Sequence, residues 1–345
     1  MNNSPLKGIA IIAAAMVVVG LTLTGIGFIA GGNQPIHFDS DGIHVGSGKV
    51  TDWKAETLSQ KLESFSSINA DLDIYDVDLI PSDKYAIEAV FNPEYGKPDF
   101  RIENDTLIVE AKNKKFHVDI DIFGFTNRKN MSVKIYYPTN TKLKDVEIHV
   151  DASDLSVENL TAEKAEFDLD LGKLEISNIS AKNIKVEMDS GDCTMNKITA
   201  DDLNVTNDLG KTTLDGGALK TLKIKSDSGD VTISDVTVDY GDLNLDLGKL
   251  TAKNLDSNGL KVKNDSGDIN LQGTLLGTTD ITCNMGKVTV EPGAPKDQFN
   301  YELKADLGKV TVGGESVSGS ISSSAAAKNT LKVNTDMGDI NINFN

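Results

Sequence analysis

Six aspartates recur nineteen residues apart, at Asp170, Asp189, Asp208, Asp227, Asp246 and Asp265, each two positions before a glycine. A column of carboxylates at one repeat spacing could chelate a hard cation such as calcium, which takes oxygen ligands. The same aspartates could instead cap their own corners as Asx turns, with neighbouring lysines neutralising them. Calcium repeats of the nonapeptide kind use shorter, more glycine-rich units than these. The four histidines, His37, His44, His117 and His149, have no metal-ligand spacing along the chain. Cys193 and Cys283 stand in different columns, about 20 Å of stacking apart, and read as small core residues rather than as a disulfide. No Gly-x-Ser-x-Gly elbow occurs, and Gly46-Ser-Gly-Lys49 lacks the upstream glycine of a phosphate loop. No catalytic constellation emerges, for a polysaccharide hydrolase or any other enzyme.

The elements that position these residues follow from a repeat. Asp-x-Gly followed by Lys or Asp places corner glycines at Gly172, Gly191, Gly210, Gly229, Gly248, Gly267 and Gly286, the last with Asn284 for the aspartate. Further copies stand at Gly308 and Gly338, after a Pro/Gly insertion at 291–295 and a Gly/Ser/Ala-rich stretch at 313–327. A fixed period near twenty residues marks a solenoid. Within each unit apolar residues alternate with polar ones, as at Leu174, Ile176 and Val186, with an outward threonine column at Thr194, Thr213, Thr232 and Thr251. Alternation of period two is that of half-buried strands. The expected fold is therefore all-β, a single-stranded parallel β-solenoid of about nineteen residues per coil. The residue after the glycine alternates between Lys (173, 211, 249, 287) and Asp (192, 230, 268), predicting a charge ladder between stacked coils.

From Gly8 to Gly32 no residue is charged. At about 1.5 Å per residue, a helix of that length covers the ~30 Å hydrocarbon layer, so a single transmembrane helix is expected there after a short cytoplasmic segment, residues 1–7. A secretory signal cleaved near Gly25-Ile-Gly27 is the alternative. Residues 33–64 read as a linker with a short capping helix over Asp52–Leu62, where Trp53, Leu58 and Leu62 share a face, and 65–345 as the solenoid. With positive charge before the span and 52 acidic against 34 basic residues overall, a net charge of −18, the bulk is expected outside the cell membrane. That surplus argues against nucleic acid as a partner. One patch departs from the acidic background: Lys112, Lys114, Lys115, Arg128 and Lys129 flank Phe123 and Phe125, as an irregular hairpin or a projecting tip.

These residues resemble the bacterial putative-adhesin family, domains of unknown function built of β-strand repeats and found in envelope and envelope-stress proteins. The resemblance covers about Phe65 to Asn345. It rests on Ile68-Asn-Ala-Asp-Leu-Asp-Ile-Tyr75, Glu103-Asn-Asp-Thr-Leu-Ile-Val109, the turn Ile135-Tyr-Tyr-Pro138 and the Asp-x-Gly corners. It brings no catalytic residues and implies a bacterial, Gram-positive surface setting. The expected function is adhesion, scaffolding or sensing at the envelope, with an envelope protein or surface polymer as partner. Calcium-dependent ligand binding is the alternative.

Overall fold

The computed structural model describes residues 55–112 and 131–345 apart from Glu94, with the backbone of the strands Ile36–Asp39, Gly42–Val45 and His117–Ile120. The predicted membrane helix at 8–32 lies outside these residues. Among the described residues no helix is long and apolar enough to cross a membrane. The chain divides into two units. The smaller contains a three-stranded antiparallel sheet in which Ile36–Asp39 pairs with Gly42–Val45 and with His117–Ile120. A stretch read as linker thus supplies two strands, and the basic patch supplies the third. Phe123 and Phe125 lie outside the described residues.

The larger unit is all-β and β-solenoid-like, with one short 3-10 turn at Lys296–Gln298. Its middle is a run of seventeen-residue strands, Leu174–Ser190, Cys193–Leu209, Thr212–Ser228, Val231–Leu247 and Leu250–Ser266. Neighbours pair in parallel with every residue nineteen from its partner: Leu174 with Cys193, Val186 with Val205, Val205 with Ile224. Identical register stacks like on like. The columns Leu174, Cys193, Thr212, Val231, Leu250 and Ile176, Met195, Leu214, Ile233, Ala252 are accordingly buried. Small and medium aliphatics suffice because each coil encloses only a narrow interior, filled by the coils above and below.

Two columns of turning residues shape each coil. One is the Asp-x-Gly corner. The other, absent from the sequence reading, has left-handed backbone at Asn159, Asn178, Lys197, Gly216, Asp235 and Asn254, again nineteen apart. Asn, Asp and Gly tolerate that conformation best. The side chains reinforce it: Asn178 Nδ2 donates to Asn159 Oδ1, and Asn254 Nδ2 to Asp235 Oδ1 at 2.8 Å.

At both ends the stacking order departs from the chain order. Strand Asn329–Met337 inserts between Leu275–Met285 and Phe299–Val312, pairing in parallel with both. Ile340–Ile342 likewise lies between Val288–Glu291 and Phe299–Val312. The C-terminal strand is therefore interior, and the end of the stack is formed by Glu315–Ser323, antiparallel to Phe299–Val312. At the other end, Ser67–Leu72 lies between Thr106–Ala111 and Lys142–Ala152.

The expected capping helix is corrected. Glu56–Lys61 is a strand, paired antiparallel with Ala86–Phe91. Within that strand only Leu58 is apolar and only Leu58 is partly buried, so burial of side chains contributes little to it. Pairing with an open sheet edge satisfies its backbone groups instead.

Candidate functional site

The Asp-x-Gly corner is where chemistry-bearing residues stack, and its glycines explain the close approach. A Cβ added at Gly210 would fall 2.0 Å from the carbonyl oxygen of Gly191, and at Gly191 1.7 Å from that of Gly172. The column runs without a break from Gly172 through Gly191, Gly210, Gly229, Gly248, Gly267 and Gly286, then to Gly338 and finally Gly308, in stack order rather than chain order. Positive φ is thus half of the reason for glycine there; the other half is backbone contact between coils.

The glycine carbonyls are met from inside by a buried polar column that the sequence reading passed over. Asn207 Nδ2 donates to Gly191 O at 3.2 Å. Asn264 Nδ2 donates to Gly248 O at 2.9 Å and Gly267 O at 3.1 Å. Ser226 and Cys283 occupy the same column, and both approach glycine carbonyls. Burial pushes the Cys193 thiol up to about 12. The Cys283 thiol rises to about 11, through burial and then the Asp268 charge. Both cysteines are free and buried, as the column assignment predicted.

The Lys/Asp alternation acts through the backbone. Asp154, Asp192, Asp230 and Asp268 accept from the main-chain N–H of Lys173, Lys211, Lys249 and Lys287, one coil on, at 2.8 to 3.0 Å. Asp339, in the inserted coil, does the same for Lys309 in the coil stacked on it, at 2.9 Å. Among the described residues no ion pair joins these lysines to these aspartates, so the ladder is one of amide caps rather than of ammonium–carboxylate pairs.

The six calcium candidates stack as predicted but do not converge as a set. Asp227 pairs with Lys225 at 2.8 Å, and Asp265 accepts from Asn284 Nδ2 at 3.0 Å. Asp170 alone among them enters a ligand-like group: His149, Asp168 and Asp170 present atoms within 4.8 Å of one another. His149 Nε2 lies 2.9 Å from Asp151 Oδ1, and Nδ1 3.2 Å from Asp168 Oδ2. Burial alone would lower the imidazole pKa, but Asp168 and Asp151 outweigh it and raise the value. With a carboxylate on each ring nitrogen, the protonated ring is a bridge. Deprotonated, His149 offers a nitrogen beside oxygen donors of Asp168 and Asp170, a set suited to a borderline divalent ion such as zinc. The spacing was in the sequence: 149 and 168 are nineteen apart.

On the solvent side of the corner, large apolar side chains stand in water at every second coil. Leu171, Leu209 and Leu247 are each 55% exposed, while Ser190, Ser228 and Ser266 hold the position between them. At the far end the stripe becomes continuous, because Met285, Met337 and Leu307 stack directly on one another and all are exposed. A shallow groove on another side carries small residues such as Thr199, Ala200 and Ala218 between Lys142, Lys182 and Lys220.

The family model Toastrack DUF4097 matches residues 65–343 of this repeat. The chain belongs to the Toastrack family. The matched span takes in the columns just described and begins at Phe65, where the resemblance to putative adhesins placed the start of the domain. This Toastrack chain is also similar to solved structures. A putative adhesin from Bacteroides fragilis is 13% identical, with 84% of this chain and 97% of that one covered and a TM-score of 0.34. For a putative adhesin from Parabacteroides merdae the values are 12%, 85%, 97% and 0.41. A putative lipid binding protein from Parabacteroides distasonis gives 14%, 85%, 98% and 0.43. No curated protein matches the chain. The Toastrack region is an adhesin-like domain of unknown function with a β-solenoid-like fold.

Proposed function

We propose that this Toastrack protein is a non-enzymatic, membrane-anchored β-solenoid of single-stranded parallel type, about nineteen residues per coil. It works outside the cytoplasm in adhesion, scaffolding or sensing at the bacterial cell envelope. The observation that carries the reading is the exposed stripe of Leu171, Leu209 and Leu247. Serine occupies the same corner position in alternate coils, so the corner itself does not require an apolar side chain. Large apolar groups left in water at regular spacing on an acidic solenoid mark a contact surface. An envelope protein or surface polymer is the matching partner. Anchoring rests on the uncharged stretch 8–32 that precedes the acidic body.

Protease shaving of intact cells tests the location: the body must be lost while the anchored N-terminus persists. In the same cells, Leu171→Ser, Leu209→Ser and Leu247→Ser together should abolish crosslinking to the envelope partner without lowering the amount of folded protein. Unchanged crosslinking would sink the contact role.

Calcium-dependent binding receives less support. Only Asp170 among the six aspartates converges with other ligands, and it does so with an imidazole, which a hard oxygen-seeking ion does not favour. A rise in melting temperature at millimolar calcium, lost in Asp170→Asn, would reinstate it.

A further inference from the structure

The stack ends in edge strands, and its two ends are defended differently. At one end Asp99–Glu103 pairs only with Thr106–Ala111, and Glu56–Lys61 only with Ala86–Phe91, among the described residues. Both carry charge: Asp99, Arg101 and Glu103 on one, Glu56 and Lys61 on the other. Charged edges discourage pairing with another chain. The opposite end is Glu315–Ser323, which pairs with Phe299–Val312 alone among the described residues. From Ser316 to Ala327 it has neither charge nor proline. Every second N–H and C=O along such a strand points away from its single neighbour and is open to a further strand.

Its sequence identifies that further strand. Ser316-Val-Ser-Gly-Ser-Ile-Ser322 reads nearly the same in both directions about Gly319. Antiparallel pairing opposes a strand to its own reverse. A two-fold axis at Gly319 therefore sets Ser316 against Ser322, Val317 against Ile321 and Ser318 against Ser320. The bend in the strand sits at this same residue. Gly319 has φ +87°, and the register against Phe299–Val312 shifts there, from Lys304–Ser320 to Lys309–Ser318. A strand bent at the centre of symmetry presents two arms that exchange places under the two-fold, so both arms can pair. A Cβ added at Gly319 meets nothing within 4 Å, unlike the corner glycines, so the corner is open on this side. Leu307, 70% exposed, and the exposed Val317 stand beside it.

We propose that the Glu315–Ser323 edge joins two copies of this chain end to end, as an antiparallel strand pair with its two-fold at Gly319. The interface is isologous, the commonest kind in homodimers. Each copy carries a net charge of −18, and the uncharged edge is where two such bodies approach with least repulsion. Added salt screens what repulsion is left and strengthens the association.

The test uses the full chain in non-ionic detergent. Oxidation of Ser316→Cys/Ser322→Cys is expected to give a covalent two-chain species, and Ser316→Cys alone less than about a tenth as much, because its counterpart lies several residues away in this register. The native cysteines are buried and do not compete. Ser318→Glu/Ser320→Glu, both at exposed positions facing Lys309 and Lys304 of the same chain, should abolish the two-chain species without lowering the melting temperature. Three results would each overturn the proposal: equal linking by the single-cysteine chain, a ladder of three or more chains from head-to-tail contact, or sedimentation as one chain up to about 100 μM.

Discussion

The carboxylate of Asp192 accepts the main-chain N–H of Lys211, nineteen residues on, at 3.0 Å. The relation assigns different weights to two residues that a charge ladder would treat as equals. Removing the acceptor orphans an amide at a corner, whereas removing the lysine ammonium leaves the bond intact. Asp192→Ala is expected to cost about 1 kcal/mol in urea unfolding, typical of one hydrogen bond. Lys211→Gln should stay within about 0.5 kcal/mol of the parent. Equal losses for the two would restore the charge ladder.

At the same corner the glycines leave no room for a side chain. Gly210 has φ +138°, and a Cβ there would sit 2.0 Å from Gly191 O. The obstacle is backbone held by the next coil, so it cannot swing aside as a side chain could. Gly210→Ala should therefore cost more than about 3 kcal/mol, combining left-handed strain with overpacking. By contrast Gly319→Ala, with open space around its Cβ, should lose only the conformational part. Melting curves of the two variants make the comparison.

Much of this architecture was legible because the repeat is strict. Nineteen-residue spacing with period-two alternation placed the inward columns, the Gly172 to Gly286 corners and the buried cysteines. The order of the coils at the ends was not legible, for a physical reason. Every Asp-x-Gly unit offers the same register to every other, so the motifs at Gly308 and Gly338 stack equally well in either order, and the hairpin of Phe299–Val312 with Glu315–Ser323 decides it. The Glu56–Lys61 strand was hidden because its pairing partner, Ala86–Phe91, is distant in sequence. The buried Asn207 and Asn264 were hidden for a different reason. They share a column with Met188 and Leu245, and polarity there follows from the glycine carbonyls rather than from alternation. His149 could have been found by applying the clock to the histidines as well as to the aspartates.

The buried asparagines should be worth more than their exposed counterparts. Asn264 Nδ2 serves two glycine carbonyls inside the coil. Truncation to alanine removes both bonds and opens a void beside Leu245 and Cys283, the residues one coil to either side. Asn264→Ala is expected to lose about 2–3 kcal/mol. Asn284→Ala, which loses an exposed bond to Asp265 at the corner, should lose about 1 kcal/mol or less. A reversed ranking in urea unfolding would mean that the glycine carbonyls do not depend on the inner column.

His149 gives the fold a pH dependence whose direction follows from its neighbours. Although burial opposes it, Asp168 and Asp151 raise the imidazole pKa. The folded state therefore holds this proton more tightly than the unfolded chain does, and the stabilisation is fully present below the unfolded value, about 6.5. It is lost as pH rises through the higher folded value. Asp151 acts in the same sense: burial and the Asp73 charge raise its pKa in spite of His149, so the native state also favours its protonated form. His149→Gln keeps the size and one amide donor but cannot carry the charge. Its urea midpoint should fall below that of the parent at about pH 5.5 and approach it at about pH 8. A deficit that stays constant across that range would show that the ring contributes by packing and neutral hydrogen bonds instead of as an imidazolium between two carboxylates.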